Sequence, residues 1–104
     1  MMGRNRSRYE HDEIVRQLED MVKSNYSITM KCVDVRDPNT GRLVGEIDLV
    51  GIVGNNWDLY EVKANDQYAK AEKQLRNLRK YLCDCANVKL YYYSGRRGRI
   101  EEVE

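Results

Sequence analysis

The chain predicts one α/β domain, a mixed sheet flanked by helices in the order α-β-β-β-α-β. Three observations predict it. Apolar residues recur at helical spacing twice, first over Ile14, Leu18, Met21 and Val22, then over Tyr68, Ala71, Leu75, Leu78 and Leu82. Between these stripes lie three runs rich in Val, Ile, Leu and aromatic residues, separated by the turn signals Asp37-Pro38-Asn39-Thr40-Gly41 and Gly54-Asn55-Asn56. A fourth run, Val88–Tyr93, alternates after the second helix, and a helix between strands three and four implies a parallel crossover.

Taken in order, residues 1–7 are polar and expected to be flexible, with Ser7 as N-cap of a helix over roughly 8–23 and Glu10 as its capping-box partner. Val15 falls at the margin of that helix's apolar stripe. On a helical wheel His11 lies near the stripe's centre, Glu10 at its edge and Glu13 on the solvent side. Tyr26–Arg36 is the first strand. Its alternation switches face at Cys32-Val33, which predicts a bulge or burial on both faces. Arg42–Val53 and Trp57–Lys63 follow as an antiparallel meander. Asn65 or Asp66 is the expected N-cap of a helix over roughly 67–83. Alternation buries Tyr92 with Val88 and Leu90, and residues 95–104 form a basic turn followed by an edge strand or a loose tail.

The chain has 104 residues, 41% hydrophobic and 34% charged, ordinary values for a globular domain. No apolar run is long enough to span a bilayer and no signal-peptide pattern opens the chain, so an intracellular protein without membrane contact is expected. Cys83 and Cys85 are too close for an ordinary disulfide, and three cysteines with one histidine offer no zinc spacing; inert thiols are expected. A net charge of +1 hides basic zones at Arg4, Arg6 and Arg8, at Lys70, Lys73, Arg76, Arg79 and Lys80, and at Arg96, Arg97 and Arg99. These suit a polyanion, although from charge alone solvated helix faces and a frayed tail are the simpler account.

The chemistry concentrates on the central hairpin. Asp48 lies mid-way along one apolar strand and Glu61 near the end of the next; Lys63, two residues on, leaves the same face as Glu61. Carboxylates are expensive inside apolar strands. Taken singly, Asp48 reads as a strand-end turn residue and Glu61–Lys63 as a solvent-facing pair. Together they make a candidate hydrolytic site: Asp48, Glu61 and the Val62 carbonyl as oxygen ligands for Mg²⁺ or Mn²⁺, and Lys63 for the attacking water or the developing charge.

Asp48 in Gly45-Glu46-Ile47-Asp48-Leu49-Val50, followed thirteen positions later by Glu61-Val62-Lys63, resembles the signature of the PD-(D/E)XK nuclease superfamily. The similarity spans about residues 8–93 and is strongest to archaeal Holliday-junction resolvases and RecB-like nucleases. It implies a restriction-endonuclease-like core, metal binding by Asp48 and Glu61, and a catalytic role for Lys63. The first helix of such proteins adds an acidic residue or, in RecB-like members, a histidine, for which Glu10 and His11 are the matching positions. Of the RecB-like Gln-x-x-x-Tyr element, Gln74 is present but Leu78 replaces the tyrosine, and Ile47 stands where a proline is usual before the aspartate.

The resemblance implies a metal-dependent endodeoxyribonuclease acting on DNA, branched or structured DNA included; for a chain this short, a homodimer is expected, to hold an extended substrate and provide paired cuts. Lys70, Lys73, Arg76 and Gln74 on the second helix and Arg96, Arg97 and Arg99 near the end are the candidate DNA contacts. The alternative is a nucleic-acid-binding or assembly protein that keeps the fold without turnover.

Overall fold

Alternation along the strands sorts their side chains onto two sheet faces, and one helix covers each. In the computed structural model, which describes residues 2–82 and 86–104, the order is α1 (Met2–Val22), a short 3-10 turn (Lys23–Asn25), β1 (Ile28–Arg36), β2 (Leu43–Val53), β3 (Asn56–Lys63), α2 (Tyr68–Arg79), β4 (Asn87–Ser94) and β5 (Arg99–Val103). Cys83 and Cys85, expected as inert thiols, and the helix exit expected at Asp84 lie outside the described residues. The strands form one mixed sheet ordered β1-β2-β3-β4-β5. The β3–β4 pair is parallel, joined through α2, and every other pair is antiparallel.

Consecutive residues show the sorting: Leu59 packs in the cluster that holds Ala71, Leu75 and Leu78 of α2, and Tyr60 in the one that holds Val15, Leu18 and Val22 of α1. His11, Val15, Leu18 and Val22 are spaced 4, 3 and 4 apart, so α1 turns one stripe to the sheet. This corrects the expected stripe by part of a turn. Val15 is fully buried rather than marginal, while Met21 is exposed.

Two helix boundaries differ from expectation, each for a physical reason, and the chain end takes the edge-strand alternative. Helix α1 begins at Met2, not near residue 8, so the first residues are helical and Ser7 lies inside the helix rather than capping it. Arginines propagate a helix well, and the Arg8–Asp12 pair at i,i+4 supports its first turns. Helix α2 is capped at Gln67 without a side-chain cap bond. The expected cap Asp66 is engaged elsewhere, its carboxylate accepting from Ser94 and Arg97, and the Tyr92 hydroxyl takes the Gln67 N–H and donates to the Asn65 carbonyl. The chain end is ordered as β5, paired along β4, with Val103 buried in the α2-side core.

The predicted face switch in β1 is real, but no residue is inserted there. Register runs Lys31↔Leu49 and Val33↔Ile47. Cys32, between them, takes a left-handed backbone, φ 56°, which reverses the faces. Lys31 reaches Glu19 of α1 while Val33 packs on the α2 side, and across the ladder Leu49 and Ile47 divide the same way. The register shift itself comes later, between Val35 and Arg36.

Tyr26 locks the far end of the α1 face. Its hydroxyl donates to Asp58 Oδ2 at 2.6 Å and lies 2.5 Å from the Tyr60 hydroxyl. Its ring covers Gly51 so closely that a Cβ there would stand 2.5 Å from Tyr26 Cε2. Because both hydroxyl contacts hold the ring, Gly51→Ala is expected to cost about 1–3 kcal/mol, measurable as a lower midpoint in urea with an unchanged slope.

Candidate active site

Strands β2 and β3 pair from Val53↔Asn56 up to Leu49↔Tyr60, and then the ladder stops. Beyond that point the Val62 N–H donates to the Asp48 carboxylate, Oδ2, at 2.8 Å. A side chain thus takes the place of a ladder carbonyl. The position opposite Asp48 in register is Cys32, whose left-handed backbone costs on the order of 1–2 kcal/mol in a non-glycine residue. Strained backbone and a parted ladder therefore meet at Asp48. The other side of β3 stays paired to β4 through Lys63↔Ser94.

Five of the candidate residues gather here: Asp48, Glu61, Val62, Lys63 and His11. Asp48 and Glu61 are each only 5% exposed. Lys63 Nζ lies 3.2 Å from Glu61 Oε2, confirming that the two side chains share a face. Glu61 Oε1 is buried without a hydrogen-bond partner among the described residues. From α1, His11 Nε2 donates to the Val62 carbonyl at 3.1 Å and stands 3.4 Å from Asp48 Oδ2, with Nδ1 3.6 Å from Asp12. Of the two first-helix candidates, then, His11 joins Asp48, whereas Glu10 is exposed on the rim of a groove that also holds Arg96.

The electrostatics follow from burial and from this packing of charge. The interaction of the His11 N–H with the accepting Asp48 carboxylate is the main reason the His11 pKa rises from 6.5 to about 9; burial opposes it, and the Asp48 charge and the Val62 carbonyl add to it. His11 is therefore an imidazolium at neutral pH, a cation supplied by the chain to the Asp48 carboxylate. Burial pushes Glu61 from 4.5 to about 7, with Asp48 adding repulsion and Lys63 and His11 opposing. The oxygen set of Asp48, Glu61 and the Val62 carbonyl has the chemistry of a magnesium or manganese site. Among the described residues no three His, Cys, Asp or Glu side chains group as a metal cage. Mg²⁺ does not need one, because it is commonly held through one or two carboxylates with water and phosphate completing the shell.

The other candidates lie apart. Lys70, Lys73, Gln74 and Arg76 are exposed on α2, which covers the sheet face opposite α1, and Arg76 is bonded to Glu72 and to the Glu104 carbonyl. Arg97 is held by Asp66 at 2.9 Å and Arg99 by Glu101 at 3.1 Å. Arg96 lines the groove with Glu10. Sequence reasoning missed the Asp66–Ser94–Arg97 network, whose members are distant in the chain and carry no pattern. It registered Cys32 only as a break in alternation. Among the described residues no helix is long and apolar enough to cross a membrane. The chain matches no protein-family model and no curated protein.

Both shifted groups bind protons more tightly folded than unfolded, so each favours folding most below its unfolded pKa and loses that contribution as pH rises through its folded value. Glu61 acts between 4.5 and about 7, and His11 between 6.5 and about 9. Stability is expected to fall by about 1–2 kcal/mol from pH 6.5 to 9, with solvent screening of the half-buried ring allowed for. His11→Ala should flatten that slope, and Glu61→Gln should raise the melting temperature above pH 7. Thermal unfolding across pH 5–9 checks all three.

Proposed function

We propose that the protein is a metal-dependent endodeoxyribonuclease of the PD-(D/E)XK type, hydrolysing phosphodiester bonds in DNA, with branched or structured DNA as its natural substrate. One observation carries this reading. Two buried carboxylates converge where two strands part, and one of them keeps an oxygen without a partner among the described residues, beside a lysine. An unsatisfied buried acceptor costs about 1–3 kcal/mol, and a stable fold has no use for it. A divalent cation would satisfy it. The element order supports the same reading, because the five-stranded sheet is similar to the restriction-endonuclease-like core with β5 added at its edge.

Asp48, Glu61 and the Val62 carbonyl would hold Mg²⁺ or Mn²⁺; the carbonyl has a second lone pair beyond the one His11 uses. The cation supplies charge neutralisation at the scissile phosphate and a lowered pKa for the attacking water. The chain does the rest. The Val62 N–H fixes the Asp48 carboxylate, and His11 fixes the Val62 carbonyl. Lys63, anchored by Glu61, presents an ammonium that orients the water and stabilises negative charge as the P–O bond breaks. A homodimer would give a domain of this size two such centres for paired cuts, and we place its action inside the cell.

A specific observation favours a second reading. His11 already balances Asp48, so the cluster has an internal cation and could persist in a DNA-binding or assembly protein without turnover. Chelation separates the two: the nuclease loses activity, whereas the binding protein keeps salt-sensitive DNA affinity with or without it.

The expected outcome is cleavage of labelled DNA with Mg²⁺ or Mn²⁺. Asp48→Ala, Glu61→Ala and Lys63→Ala should each lower the rate by a factor on the order of 10²–10⁴, with helical content unchanged by circular dichroism. Full activity in any of the three sinks the assignment.

A further inference from the structure

Beside the cluster runs an open groove of about 480 Å³, within the range of roughly 300–1,000 Å³ usual for small-ligand sites. Close backbone approach builds it. A Cβ on Gly95 would stand 2.7 Å from Ile14 Cδ1, so the turn after β4 lies directly against α1, and the Gly95 N–H donates to the Lys63 carbonyl at 2.8 Å. The walls carry Tyr9, Glu10 and Glu13 from α1, Ala64 from the end of β3, and Arg96 from the turn. Glu10 directly precedes His11 and Ala64 directly follows Lys63, so the groove flanks the proposed centre.

Among the described residues, two side chains there have no hydrogen-bond or ion-pair partner. Tyr9 is 70% exposed and joins none of the aromatic pairs, which are Tyr26–Tyr60, Tyr60–Tyr91 and Tyr68–Tyr92 among the described residues. Arg96 makes no ion pair among the described residues, although Arg97 on the same turn and Arg99 at the start of β5 are both held by carboxylates. Glu13 is bonded to Arg16, which leaves Glu10 as the groove's unneutralised acid. One exposed ring and one free guanidinium match one nucleotide, its base on Tyr9 and its phosphate on Arg96. They do not match a continuous duplex. Its bases are stacked on one another, and its two backbones bring a charge every ~1.7 Å of axis past a wall that carries Glu10. An exposed ring takes a base only when that base is unpaired.

We propose that Tyr9 and Arg96 form a subsite for an unpaired nucleotide, which makes the substrate single-stranded DNA or a single-stranded flap rather than uninterrupted duplex. The proposal rests on the nuclease reading for its chemistry but not for its binding. The test therefore has two arms, on single-stranded, flap and blunt duplex DNAs of one sequence. In the first, fluorescence anisotropy with the unsubstituted protein in EDTA measures affinity. Single-stranded and flap DNA should bind tighter than blunt duplex. Adding Tyr9→Ala or Arg96→Ala should weaken that binding about tenfold, while Tyr9→Phe retains it. Arg42→Ala, which removes the same charge from the β1–β2 turn, should leave affinity within twofold. In the second arm, cleavage with Mg²⁺ should show the Tyr9→Ala loss in KM rather than kcat. Equal affinity for duplex and single strand, or a Tyr9→Ala protein that binds as tightly as its parent, overturns the subsite. No cleavage of any substrate, with the Tyr9-dependent preference intact, overturns the nuclease reading and leaves the subsite standing.

Discussion

The structure depends on one hydrogen bond, from the Val62 N–H to the Asp48 carboxylate. A buried backbone donor must be paired, and in an ordinary hairpin a ladder carbonyl of β2 would pair it. Here the ladder has ended at Leu49↔Tyr60, and a side chain takes over. That exchange lets β2 and β3 part without leaving a donor orphaned. It also fixes a carboxylate at the opening, and it keeps β3 straight enough to stay in parallel register with β4 as far as Ser94. Replacing Asp48 with an apolar residue would therefore remove a charge and unpair a buried amide together. A structural aspartate and a catalytic one would both be retained at this position, and only turnover distinguishes them.

The charges around that bond are arranged against stability. Asp48 and Glu61 repel one another inside the sheet, and Glu61 is held near neutrality in its titration by burial. Lys63 and His11 compensate, one from the strand and one from α1. Two acids and two bases in so small a volume cost more desolvation than a pair of well-packed aliphatic residues would. The neighbouring core has such residues in Leu49, Leu59 and Val62, none more than 1% exposed. The chain can pack this region tightly, so the polar cluster is not a failure of packing. Strain at Cys32, directly across the ladder, belongs to the same economy, since relaxing it to an ordinary strand would close the face switch that frees Asp48.

Much of this was legible in the sequence, for reasons that separate local from distant causes. Period-2 alternation placed Glu61 and Lys63 on one face and buried Tyr92, because those outcomes depend only on the pleat. The helical wheel put His11, not Glu13, towards the sheet, and the sole histidine does reach Asp48. Failures came where tertiary partners outbid local preference. Asp66 is a good N-cap by type, yet it serves Arg97 and Ser94 from another part of the chain. Met21 fits the stripe by spacing, but α1 is rotated to bury Val15 in its place. The break in alternation at Cys32 was visible as a break. Its form, a left-handed residue with no insertion, needed the register of β2 to be known.

The distribution of basic residues carries the argument one step further. By count they form three zones, but the fold gives them different work. Those on α2 face solvent on the side of the sheet away from α1, and Arg76 there is tied to Glu72 and to the chain end. Arg97 ties the turn between β4 and β5 to Asp66, and Arg99 pairs with Glu101 on its own strand. The Gly95 N–H holds the turn to the Lys63 carbonyl, Gly95 lies against Ile14 of α1, and Arg96 of the turn lines the groove. Several basic residues are thus tied to carboxylates of the fold, and the net charge of the chain is a small +1. On the proposed reading, recognition would fall to few contacts close to the carboxylates, where a single guanidinium and a single ring would select the conformation of one nucleotide more sharply than a diffuse basic face could.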